Sequence, residues 1–322
     1  MKHVFNSHFA ERLTSFVSQK RSLGWSYIGS EATLANFDRF CSEQYPNSDT
    51  LTKEICFAWA VRRETERNNS FRNRVSTIRE FAKHLNRLGE QAFVIPAKFV
   101  KKDARPTPYI YSEEDIAMIW HEFDNIKPRD CYPLRHIVAP AFVRLLYCCG
   151  LRPCEAQRLM VDDFNLLSGK LYIRESKGYR DRIVMMAEDV LEYYVQYNYT
   201  VSKLLPGREQ FFPSSTDTMF TKDWLQVEFR KIRTKLDLQQ ASSNPPRLYD
   251  FRHTFATHRL YKWLREGKDL TAMLPYLSAY MGHVLLSDTC YYIHLVPGQL
   301  EAISGLDFSR YEALLPEVEY DQ

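Results

Sequence analysis

The chain has 322 residues, 45% of them hydrophobic and 26% charged, with a formal net charge of +3. This composition excludes disordered, collagen-like and membrane-embedded classes, and the length suits two unequal domains. The seven cysteines show no paired spacing, which excludes a disulfide framework or zinc site and suits reduced cytosolic thiols.

The charge is uneven. Residues 1–105 carry 18 Lys+Arg against 11 Asp+Glu, and the remainder 25 against 29. A basic front before a nearly neutral body suits a DNA clamp, and equally a solvated helix surface. Met1–Ala10 is polar and no apolar run reaches about 20 residues, so neither a leader nor a membrane span is expected. The expected location is cytoplasmic, on the nucleoid.

Phe9, Leu13, Phe16 and Val17 predict a helix over residues 6–23, stopping near Gly24. Ser30 is expected to cap a second helix, with Leu34, Phe37 and Phe40 facing inward and Pro46 as its stop. Thr50–Val61 and Ser70–Leu88 make two more. The last presents Phe71, Val75, Ile78, Phe81 and Leu85 on one face and ends at Gly89. Four amphipathic helices in sequence predict a small bundle over residues 1–95. Arg62, Arg63, Arg67, Arg72, Arg74, Arg79, Lys83 and Arg87 lie on or near the polar faces of the last two, a concentration suited to phosphate contact. Residues 96–108 interleave Pro96, Pro106 and Pro108 with Lys98, Lys101, Lys102 and Arg105, which reads as an extended basic linker.

The second domain, residues 109–322, opens at Ser112, an N-cap with Asp115 in the capping-box position, followed by a helix through Trp120. His136–Cys149 reads as a buried helix ended by Gly150. Arg152 and Glu155 begin the next, with Pro153 in its first turn. Val161–Leu166, Lys170–Glu175 and Arg182–Ala187 predict three short strands, the last two joined by the turn SKGYRD. Helices are expected at Asp189–Leu205, Lys222–Leu236, Tyr249–Arg265, Leu270–Met281 and Ser287–Ile293. The tail from Gly298, with Phe308, Tyr311, Leu314 and Leu315, is amphipathic and suited to docking on itself or on a neighbour. The expected class is mainly α: a helical N-terminal domain, then a mixed α/β, mostly helical domain with a small three-stranded antiparallel sheet.

The chemistry concentrates in a few residues. Attack on a phosphodiester needs fixed positive donors around its oxygens, a nucleophile in line and an acid for the leaving group. Arg152 and Arg252 fall in near-apolar helical settings, each beside a carboxylate, Glu155 or Asp250, and could supply the donors. Lys177, at the hairpin tip, could protonate a leaving oxygen, and His283, after Gly282, could donate to a phosphate oxygen. Tyr292 could be the nucleophile, because a tyrosyl phosphodiester stores the energy of the bond broken. Singly, each has an ordinary structural explanation: a surface arginine, a turn lysine, a helix-end histidine, one tyrosine among 20.

Together the motifs GLRPCE (Arg152, Glu155), SKG (Lys177), YDFRHTFATH (Arg252), MGH (His283) and a tyrosine nine residues later have a specific order and spacing. Over roughly residues 108–296 the chain resembles the tyrosine recombinase (phage integrase) family. The resemblance implies a core-binding (SAM-like) domain and a catalytic domain clamped around double-stranded DNA. It also implies a 3′-phosphotyrosyl intermediate and a homotetramer on paired sites, without metal, cofactor or membrane. Arg152, Lys177, Tyr249, Arg252, His283 and Tyr292 would be the catalytic set of a site-specific recombinase or integrase of a mobile element.

Two features depart from the family pattern. Tyr249 stands where the family has a histidine, and a phenol is a poor base at neutral pH. The segment between Arg252 and His283 is long. His253 is assigned a structural role, since one helical step turns it away from Arg252. The rivals are a type IB topoisomerase, a non-catalytic DNA-binding relative, and a metal-dependent single-strand nuclease, whose His-apolar-His motif the sequence lacks.

Overall fold

The computed structural model describes residues 3–103, 106–174, 181–220, 222–238 and 245–293. The chain divides into two compact units, Met1–Arg105 and Pro106–Gln322. It is mainly helical, with one small antiparallel sheet.

The first unit holds four helices. In α1 (Ala10–Ser22), Leu13, Phe16 and Val17 recur at helical spacing and all are buried. Helix α2 (Ile28–Gln44) starts before its expected cap: Tyr27, in the left-handed region at φ 54°, precedes it, and Ser30 lies inside the helix. The cause is tertiary, because the Tyr27 ring packs edge-on against Phe16 at 5.7 Å. Helix α3 (Lys53–Trp59) is shorter than expected, with Thr52 as N-cap. Its end is held by Arg74 of α4 (Asn68–Arg87), which donates to the carbonyls of Trp59 and Val61. The Arg74 guanidinium also forks onto Glu66 at 2.7 and 2.8 Å and lies over the Trp59 ring. Arg74 is therefore a core residue, not a phosphate contact, and Arg79 is partly committed to the carbonyls of Ile95 and Pro96. Ile95 and Val100 are buried in the same core, with a 3₁₀ turn over Ala97–Phe99 between them.

In the second unit, Ser112 and Asp115 form the expected capping box at the start of α5 (Glu113–Asp124). Helix α6 (Arg135–Cys148) is the central element; from Val138 to Val143 every side chain is buried. Helix α7 (Pro153–Gln157) begins with proline at its first position. The strands β1 (Phe164–Asn165), β2 (Lys170–Ile173) and β3 (Arg182–Met185) form an antiparallel sheet in chain order, with Leu171 opposite both Phe164 and Val184. Strand β1 is shorter than predicted because Val161–Asp163 is a 3₁₀ turn. The SKG turn and its Lys177 lie outside the described residues.

Helices α8 (Glu188–Leu204), α9 (Lys222–Lys235), α10 (Asp250–Arg265), α11 (Leu270–Met281) and α12 (Ser287–Cys290) follow. Helix α10 packs on α6 and α11, while α11 touches β3 and α12. A satellite core of Phe255, Leu260, Leu274, Met281 and Cys290 joins the last three helices and includes Tyr292. The tail from Gly298 lies outside the described residues. Among the described residues no helix is long and apolar enough to cross a membrane.

Gly150, after α6, fixes how closely α10 approaches. Its φ is +60°, and a Cβ there would meet Cδ1 of Phe255 at 2.3 Å. Left-handed strain and overpacking together should make Gly150→Ala destabilising by roughly 2–4 kcal/mol, read as a lowered denaturant midpoint with unchanged slope. A midpoint within error of wild type would contradict this packing.

Candidate active site

Four chain segments converge on one point. Gly150 turns the chain out of α6, placing Arg152 as the residue before α7. The Arg152 backbone N–H donates to Glu155 Oε2 at 3.0 Å and its Nη1 to Glu155 Oε1 at 2.6 Å. Within the first turn of α10, Arg252 is completely buried. Its Nη1 donates to the Gly150 carbonyl at 2.7 Å and its Nη2 to the Met281 carbonyl at 2.6 Å. Two helix C-termini thus point carbonyls at one guanidinium, a favourable end for a cation. The predicted Asp250 partner does not serve Arg252. Asp250 is taken by Arg247 at 2.8 Å, while the Glu155 carboxylate lies 4.0 Å from Arg252. The reason is helical geometry: residues two apart on a helix do not face each other.

Gly282 closes α11 in the left-handed conformation and turns His283 back toward Arg252. His283 Nε2 lies 3.1 Å from Arg252 Nη2, and its Nδ1 lies 2.7 Å from Thr289 Oγ1. Arginine can only donate, so Nε2 accepts and Nδ1 carries the proton. His283 is therefore neutral here and does not offer a donor outward from Nε2. Burial, then Arg252, Arg152 and Arg182, push its pKa down to about 3.

Tyr292 is almost fully buried, its ring stacked near His283 at 5.9 Å and tilted against His253 at 5.5 Å. Burial pushes its phenol up to about 12, against the charge and side-chain hydrogen bond of Arg252. Tyr249, 39% exposed, precedes α10; its phenol pairs with Arg152 and its ring lies 5.1 Å from that of His253. Arg152, Tyr249, Arg252, His283 and Tyr292 are thus brought together.

Two further residues belong to this group: Arg182, which stands in no quoted motif, and His253, which lies inside YDFRHTFATH but was assigned a structural role. His253, assigned away from the site, touches both Tyr249 and Tyr292 because those rings come to it. Its Nδ1 is buried without a hydrogen-bond partner, and burial with Arg247 and Arg252 lowers its pKa to about 4. Arg182, at the start of β3, forks onto both oxygens of Glu155 at 3.0 and 2.8 Å. Burial alone would raise the Glu155 pKa, but Arg182 and Arg152 outweigh it and hold the carboxyl at about 2.

These shifts have one sign for stability. The partly buried His283 and His253 bind protons less readily folded than unfolded, so their contribution is complete above pH 6.5 and is lost as the pH falls toward about 3. Glu155 adds a loss below pH 4.5 that continues to about 2. The melting temperature should fall steadily from pH 7 to pH 4. In His283→Gln the fall above pH 4.5 should be shallower, and an unchanged pH slope in that variant would contradict a partly buried, neutral His283.

Among the described residues, no group of three or more His, Cys, Asp or Glu side chains is placed to hold a metal ion. The arrangement suits an anion: buried guanidiniums on one side of a phenol, with a half-exposed tyrosine at the opening.

Comparison with known proteins agrees with that geometry. The chain is 28% identical over 294 residues to the integrase/recombinase-type protein y4rE of Sinorhizobium fredii, covering 90% of this chain and 93% of that protein. It is 30% identical over 243 residues to tyrosine recombinase XerC of Oceanobacillus iheyensis, 72% of each chain. Among solved structures, the XerH site-specific recombinase bound to palindromic difH substrate superposes with a TM-score of 0.61 at 17% identity, covering 91% of this chain and 83% of that one. A lambda integrase dimer bound to a COC′ core site gives 0.61 at 15% identity, with 88% and 94% covered. At these identities the structural likeness is one of fold. The profile of the phage integrase family matches residues 113–298, more than half of the chain, and the chain belongs to that family, the tyrosine recombinases.

Proposed function

We propose that this protein is a site-specific DNA recombinase or integrase that cuts and rejoins double-stranded DNA through Tyr292. The observation that carries the reading is the burial of the Tyr292 phenol against Arg252, with Arg152 alongside in the same cluster. In the cleavage step the Tyr292 oxygen attacks the scissile phosphorus and loses its proton. The bond from phosphorus to the 5′ oxygen breaks, and that oxygen takes up a proton. The 3′ phosphate remains on the tyrosine until the 5′ hydroxyl of another strand reverses the step. Arg152 and Arg252 offset the charge that builds on the phosphoryl oxygens. Lys177 is assigned the acid role on sequence. Tyr249, paired with Arg152, is assigned a hydrogen bond to the phosphate, which a phenol can donate as well as the imidazole it replaces. His283, neutral here, orients Arg252; once a phosphate compensates the nearby arginines its nitrogen can again hold a proton.

Residues 1–95 are read as the core-binding domain, 96–108 as a basic linker and 109–322 as the catalytic domain with its tail. Together they close on DNA and assemble as a tetramer on paired sites in a mobile element. The test is incubation with duplex DNA carrying the element's end and a nick that lets the cleaved strand escape. A covalent adduct should form in EDTA, and DNA affinity should drop steeply with salt as phosphate contacts release counterions. EDTA-sensitive cleavage would favour a metal nuclease. DNA binding without an adduct would favour a non-catalytic relative.

A further inference from the structure

We propose that His253 is the proton acceptor for Tyr292 during strand cleavage, a role that the phenol at position 249 leaves open. This inference rests on the recombinase reading above. Its ground is placement. Tyr249 and His253 stand four residues apart, at the start of α10 and inside it, and so share one face. Their rings lie 5.1 Å apart, and the His253 ring lies 5.5 Å from that of Tyr292, tilted at 56°. The imidazole is therefore one helical turn behind Tyr249 and against the ring of the nucleophile. Its Nδ1 is buried with no hydrogen-bond partner. Folding ordinarily avoids such an atom, and a catalytic duty is one of the few reasons to keep it.

The other basic groups nearby are already engaged. His283 accepts from Arg252 Nη2 at 3.1 Å and bonds Thr289 Oγ1 through Nδ1 at 2.7 Å. Glu155 is tied to Arg152 and Arg182, and Asp250 to Arg247. The phenol of Tyr292 shares a side-chain hydrogen bond with Arg252. Arginine only donates, so the phenol oxygen accepts there and its own proton needs an acceptor other than Arg252. The groups facing His253 are Arg247, Tyr249, Arg252, His283, Tyr291 and Tyr292. Burial, then Arg247 and Arg252, hold its pKa at about 4, so at pH 7 the imidazole is neutral and one ring nitrogen keeps a lone pair. A phosphate beside Arg252 offsets that cation and makes the ring easier to protonate. As the bond from the Tyr292 oxygen to phosphorus forms, the phenolic proton passes to His253, directly or through one water. In rejoining, the 5′ hydroxyl displaces the tyrosine, and His253 returns the proton to the phenolic oxygen.

The test measures single-turnover cleavage of a nicked duplex, and DNA affinity separately, for wild type, His253→Gln, His253→Ala and His283→Gln. Each is made with tyrosine and with 3,5-difluorotyrosine at position 292, whose fluorines lower the phenol pKa and so its need for a base. His253→Gln should cleave about a hundredfold or more slowly with tyrosine, with unchanged DNA affinity. With the fluorinated nucleophile that defect should shrink at least about tenfold, because a more acidic phenol depends less on general-base help. Added imidazole should restore part of the rate to His253→Ala. His283→Gln should keep its full defect with either nucleophile, since it acts on Arg252 and not on the phenolic proton. No slowing in His253→Gln, a defect equal for both nucleophiles, or one that shrinks in His283→Gln instead would each overturn the proposal. Failure of both His253 variants to fold would also overturn it, by making His253 structural. Wild type separates the two levels. No adduct from wild type removes the recombinase reading and this inference together, whereas a normal wild-type adduct with indifferent His253 variants removes only the inference.

Discussion

Replacing Tyr292 with phenylalanine should leave a folded, DNA-binding protein whose covalent adduct falls to background, a loss of at least about a thousandfold. The substitution removes one oxygen and keeps the ring that packs on His283, His253 and the satellite core, so stability should change little. Tyr291→Phe is the matched control. The Tyr291 ring lies 6.4 Å from His253 and 6.1 Å from Tyr292, close enough to serve if position 292 were merely a wall of the site. The account expects Tyr291→Phe to cut normally. The raised pKa of Tyr292, about 12, means the phenol enters the reaction protonated. Its chemistry therefore depends on the arginines and on a proton acceptor, and not on a standing phenolate.

The two arginines should fail differently. Arg152→Ala is expected to slow cleavage by on the order of a hundredfold to a thousandfold while the protein still folds, because Glu155 keeps its pair with Arg182. Arg252→Ala should lose cleavage and also stability, on the order of 3 kcal/mol. It would strip the Gly150 and Met281 carbonyls of their donor and open a cavity in a fully buried place. Cleavage assays paired with urea melts separate the two. Equal stability of the two variants would contradict the buried, carbonyl-anchored placement of Arg252.

Much of this was legible in the sequence because period and punctuation agreed. Leu13, Phe16 and Val17 name the buried face of α1, Ser112 and Asp115 mark the start of α5, and Gly150 and Gly282 mark the ends of α6 and α11. Element ends went astray where a distant side chain decided them, as Tyr27 does for α2 and Arg74 for α3. The order and spacing of the motifs single out Arg152, Tyr249, Arg252, His283 and Tyr292, and the fold brings these five side chains together. Arg182 belongs to no quoted motif, and His253, although inside YDFRHTFATH, reads there as structural. Arg182 sits at a strand end and takes its meaning from Glu155, 27 residues earlier in the chain. His253 takes its meaning from rings that only the folded chain brings to it. Asp250 shows the converse: adjacency in sequence suggested a partner for Arg252, and helical geometry gave it to Arg247.

The most direct measurement is to trap the adduct on a nicked substrate, digest it with trypsin and nuclease, and locate the nucleotide by mass spectrometry. The account predicts a 3′-linked nucleotide phosphate on the phenolic oxygen of Tyr292. A nucleotide on Tyr291 or on a serine, or one joined through a 5′ phosphate, would contradict it.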